Sequence, residues 1–115
     1  MKSFEEKYVI YKRTDDGMPE IDTFTEDKKG NRIPFIFDTP ADAVLEIADH
    51  MKCVADAVKS GDYEEDRLDD AFGLHVAKCS LYKGNFIVWI ENEDIVDDNE
   101  IIYDGSYKEF IISIN

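Results

Sequence analysis

The sequence predicts an α+β fold: an antiparallel β-sheet backed by one long amphipathic helix and one short helix, in the order βββ-α-α-ββββ. Three observations predict it. Strand-like runs at the start of the chain are joined by connections too short for parallel crossovers. An apolar stripe at spacings of three and four then runs from Val44 to Val58, about four helical turns. After Gly73 the chain returns to β-branched and aromatic runs separated by turn residues.

Residues 7–13 (KYVIYKR) are rich in β-branched and aromatic side chains and read as the first strand. Asp15, Asp16 and Gly17 supply turn chemistry, residues 20–25 a second, weaker strand, and residues 28–31 (KKGN) another turn. Residues 32–38 (RIPFIFD) form the third strand, whose Pro34 points to an edge or a bulge. Thr39 and Pro40 open the long helix with a capping hydroxyl and a proline at the first helical position. Its core face is expected to be Val44, Ile47, Ala48, Met51, Val54, Ala55 and Val58, and Ser60 with Gly61 ends it. Asp62, with Glu65 three residues on, starts a short second helix burying Leu68, Ala71 and Phe72 and stopping at Gly73. The rest is expected to be β. Strands at 74–82 and 86–91 flank a turn at 83–85, an acidic loop spans 92–99, and a last hairpin joins 100–103 to 107–114 across Asp104, Gly105 and Ser106.

With 115 residues, 43% hydrophobic and 12% aromatic, the chain has material for one core, and a single globular domain over residues 1–115 is expected. The longest apolar run, residues 86–90 (FIVWI), is far shorter than a membrane span. The first residues carry no apolar stretch with a small-residue cleavage site, and two cysteines are not a disulfide framework. A reducing cytoplasmic setting is the expectation.

The chemistry-bearing residues give no strong motif. His50 and Cys53, three apart, suit one helix face. His75 and Cys79 sit on a strand, where four residues span about 13 Å, too far to share one zinc ion. Cys79 reads as a buried strand thiol and Cys53 as an exposed helical one. The acidic runs fail the calcium-loop pattern: counted from Asp62, Arg67 takes the glycine place and Gly73 the glutamate place. No nucleophile motif surrounds either cysteine, and the glycines occur singly. No enzyme activity, catalytic residue, metal or cofactor is expected.

Charge carries the functional expectation. Acids number 27 against 13 lysines and arginines, a net −14. From residue 62 onward, 14 of those acids face four of the bases. Such a charge opposes direct binding to nucleic acid or an anionic membrane and favours a basic protein partner. The expected contact is Asp62, Glu64, Glu65, Asp66, Asp69 and Asp70 on the short helix, with Glu91, Glu93, Asp94, Asp97, Asp98 and Glu100 around the later loop. Ile95 and Val96 sit among those loop acids as a small apolar centre with a charged rim. A secondary acidic stripe, Asp42, Glu46, Asp49 and Asp56, runs about 21 Å along the long helix. Successive charges stand roughly 5–6 Å apart where the spacing is three or four, close to the phosphate repeat of one nucleic-acid strand.

In size and composition the chain resembles phage anti-defence proteins, including anti-CRISPR proteins and DNA mimics, and also immunity proteins against nuclease toxins. That resemblance implies a small non-enzymatic inhibitor of a basic, nucleic-acid-handling protein. The other expectation is an acidic adaptor domain that binds a protein or peptide through a sheet edge.

Overall fold

A computed structural model describes residues 3–61, 73–91 and 98–115. Its elements are β1 (Phe4–Arg13), β2 (Pro19–Ile21), β3 (Phe24–Glu26), β4 (Arg32–Pro34), α1 (Pro40–Lys59), β5 (Leu74–Tyr82), β6 (Asn85–Ile90), β7 (Glu100–Ser106) and α2 (Tyr107–Ile114). The fold is α+β. The expected short helix at 62–73 lies almost wholly outside the described residues.

Five strands form one antiparallel sheet in the order β2-β1-β5-β6-β7, and β3 with β4 forms a separate two-stranded ribbon. The expected strand at 20–25 is thus two strands, which break at Asp22 and Thr23 as the chain leaves the main sheet. The expected strand at 32–38 is shorter. Pro34 ends β4, and Phe37 makes an isolated bridge with Tyr8 in which each backbone donates to the other at 2.8 and 3.0 Å. That bridge fixes the start of α1 beside β1. The β5–β6 hairpin turns on Lys83 (φ 50°) and Gly84 (φ 81°), with Tyr82 opposite Asn85. Positive φ at both positions is the type I′ hairpin loop, and glycine supplies the second without steric cost.

The C-terminal segment corrects the expectation. Residues 107–114 are a helix, not a strand, and β7 runs through the supposed turn at Asp104 and Gly105. Ser106 caps the helix by accepting from the Glu109 backbone N–H at 3.3 Å. Ser106 and Glu109 stand at the spacing of a capping box. Tyr107, Phe110, Ile111 and Ile114 then follow at helical spacing and pack into the core.

Strand alternation divides the core between the two sheet faces. Val9, Ala77, Cys79, Leu81, Phe86 and Val88 point to one face, where Phe110 of α2 covers them. Ile10 and Leu74 point to the other, where Phe37, Ala43 and Ile47 cover them. The expected packing face of α1 therefore needs correction. Ile47 and Val54 are buried as expected, Val58 is half-buried, and Ala43 joins them with no exposed surface. Val44, Ala48, Met51 and Ala55 are exposed, Val44 at 54% and Met51 at 37%. A single helix laid on a twisted sheet touches it along a narrow line. The small Ala43 marks a close approach, and the sequence stripe is wider than that line.

The outer strands β2 and β7 come near each other, so the sheet curls toward closure. Arg13 at the end of β1 bonds Glu100 at the start of β7 across this seam. The other end of α2 is tied to the ribbon: the Arg32 N–H donates to Asn115 Oδ1, and Asn115 Nδ2 donates to the Arg32 carbonyl, both at 2.8 Å.

Candidate functional site

The acids of α1 stand where helix geometry puts them in water. Thr39 Oγ1 accepts from the Asp42 N–H at 3.1 Å, which starts the helix in register. Asp42 in the first turn faces the positive end of the helix dipole. Asp42, Glu46, Asp49 and Asp56 are all exposed, and none forms an ion pair among the described residues. On a helix of 3.6 residues per turn they fall to one side of the buried line through Ala43, Ile47 and Val54. The exposed Val44, Ala48, Met51 and Ala55 fall to the other. Glu46 and His50 border a cleft of about 260 Å³ with Ile10, Asp22, Phe24 and Leu74, so the acidic flank looks toward the β2–β3 connection.

Two described acids of the second half are already paired. Glu91 accepts from Lys78 Nζ at 2.9 Å, and Glu6 meets the same ammonium at 3.0 Å. Those two carboxylates, Glu91 first, raise the Lys78 pKa. Glu100 is held by Arg13, and that bond lowers its carboxyl below the usual range. Asp98 is exposed. Asp62, Glu64, Glu65, Asp66, Asp69, Asp70, Glu93, Asp94, Ile95, Val96 and Asp97 lie outside the described residues.

Sequence reasoning missed the roles of Lys78 and Arg13. A basic residue at the centre of a strand, with acids on the neighbouring strands, signals a cross-strand ion pair only once register is known. Lys78 stands opposite Trp89 on β6 and Tyr8 on β1, which brings Glu6 and Glu91 within reach.

The histidines and cysteines do not converge. Cys53 is exposed on α1 and Cys79 is buried in the sheet. Burial pushes the Cys79 thiol up to about 12, so it stays protonated at neutral pH. His75 packs against the Tyr11 ring at 5.6 Å. Among the described residues no three His, Cys, Asp or Glu side chains gather to hold a metal ion. Among the same residues no helix is long and apolar enough to cross a membrane.

Compared with family models, with curated proteins and with solved structures, the chain matches none.

Proposed function

We propose that this chain is a non-catalytic acidic binder that neutralises a basic, nucleic-acid-handling protein in the cytoplasm. The observation that carries the reading is the row of four exposed α1 carboxylates without ion-pair partners among the described residues, in a chain of net charge −14. Like charges at this density repel one another and oppose the compact state, so a gain elsewhere offsets the cost. A basic surface brought against the row would relieve that repulsion and be steered to it from a distance. The roughly phosphate-like spacing suits a partner that normally holds nucleic acid. In that role the chain would act as an inhibitor of the anti-defence kind or as an immunity protein. Glu91 and Glu100 are already held by Lys78 and Arg13, so the row on α1 is the described part of the proposed contact.

The test is kinetic. A partner captured by crosslinking in cells should associate more slowly as salt rises, with dissociation little changed. A partner that binds equally fast at low and high salt would defeat the reading.

A second reading rests on β7. It is an outer strand that pairs only with β6 among the described strands, and Ile101 on it is 50% exposed. An extended peptide adding to that edge would make the chain an adaptor. Such binding would be insensitive to the α1 acids and abolished by a proline at Ile101, which separates the two readings.

A further inference from the structure

A cleft lies at the seam of the curled sheet, sharing Asp22 and Phe24 with the smaller cleft that Glu46 borders. It measures about 420 Å³, within the range of small-molecule sites. Ile21 of β2, Ile102 of β7, and Phe110 with Ile114 of α2 supply apolar walls. Its polar lining carries both signs of charge. Arg32 lies over the Phe24 ring at 3.9 Å, and its guanidinium has no ion pair among the described residues. Glu20 and Asp22 line the same cleft and are likewise outside the described ion pairs.

We propose that this seam cleft binds a small zwitterion with a large apolar side chain, of the free α-amino acid class. The charges decide the class. A simple anion would pair with Arg32 but face Glu20 and Asp22, and a simple cation would meet the reverse conflict. A molecule carrying a carboxylate and an ammonium on one carbon satisfies both, with the carboxylate on the planar fork of Arg32 and the ammonium on the acids. Its side chain then replaces water against Ile21, Ile102, Phe110 and Ile114. Because the cleft joins β2, β7, α2 and the β3–β4 ribbon, an occupant would also hold the seam together. This inference does not depend on the proposed protein partner.

Three probes test it by titration into protein with labelled isoleucine methyls: L-phenylalanine, 3-phenylpropionate, which lacks the ammonium, and 2-phenylethylamine, which lacks the carboxylate. L-phenylalanine should give saturable shifts at Ile21, Ile102 and Ile114, and each truncated probe should bind at least about tenfold more weakly. R32Q should bring L-phenylalanine down to the affinity of the amine, while R32K retains part of the difference. The E20Q/D22N variant should bring it down to that of the acid. Spectra that match the wild type away from the cleft show that each variant is folded. Absence of saturable shifts, shifts centred elsewhere, or equal affinity for the three probes would overturn the proposal.

Discussion

Arg13 holds Glu100 through two parallel bonds, Nη1 to Oε2 at 3.0 Å and Nη2 to Oε1 at 2.8 Å, between residues 87 positions apart in the chain. The planar fork of arginine matches a carboxylate in this geometry. Arg13 Nη1 also donates to the Gly17 carbonyl at 2.9 Å, which anchors the fork to the β1–β2 turn. The pair joins the end of β1 to the start of the outermost strand and closes one end of the seam. It also removes Glu100 from the acids free to meet a partner.

Breaking this pair should loosen the seam locally. In R13Q or E100Q, amide exchange along β7 should speed up more than exchange in β1 and β5. The pH dependence follows from the direction of the shift. The folded carboxyl titrates below its unfolded value, so its contribution is complete above the unfolded pKa and is lost as pH falls through the folded one. The melting difference between wild type and E100Q should therefore be present at neutral pH and vanish in acid. A difference that grows on acidification would contradict the assignment.

The narrow contact line of α1 separates two substitutions that the sequence pattern alone treats alike. Ile47→Ala should destabilise by roughly 2–4 kcal/mol, because the side chain packs with Ile10, Phe37 and Leu74. Met51→Ala, at a position 37% exposed, should cost under about 1 kcal/mol. Urea denaturation of the two variants checks the ranking, and similar midpoints would show that α1 packs through the wider stripe after all.

At the C-terminal helix, Ser106→Ala removes the cap and should cost about 1 kcal/mol. Gly105→Ala tests the neighbouring packing. An added Cβ would lie 3.1 Å from the Tyr103 hydroxyl, so the ring must shift by a few tenths of an ångström and lengthen the 2.7 Å bond it donates to the Ser106 carbonyl. Both variants should lower the melting temperature. An unchanged melting curve for Gly105→Ala would mean that the Tyr103 ring yields freely.

The two thiols should differ sharply toward an alkylating reagent. Cys53 is exposed and should react in the native protein, whereas Cys79 is fully buried with its pKa raised by desolvation. Mass spectrometry after native labelling should find one modified cysteine, with the second appearing only in denaturant. Labelling of both at equal rates would contradict the burial of β5.

Local signals made much of this fold legible. Thr39 and Pro40 mark the start of α1, Lys83 and Gly84 the tight hairpin, and the alternation of residues 74–82 the central strand. The mistake at 107–114 has a physical cause. Tyr107, Phe110, Ile111, Ile112 and Ile114 all favour strands, and that preference obscured the helical spacing and the Ser106–Glu109 cap. The break at Asp22 and the pairing of β1 with β5 depend on long-range contacts that no local window contains. For the candidate site, net charge was legible from composition alone. Which carboxylates are already partnered was not, because Arg13–Glu100 and Lys78–Glu91 exist only once the strands are in register.

The central claim is that the α1 acids steer a basic protein to this chain. It is tested most directly by the association rate of a captured partner with wild type and with the D42N/E46Q/D49N/D56N variant, at low and at physiological salt. The rate should fall on neutralisation at low salt, and the gap between the two proteins should narrow as salt screens the charges over about 8 Å. Equal association rates for the two proteins at low salt, with the variant folded, would contradict the claim.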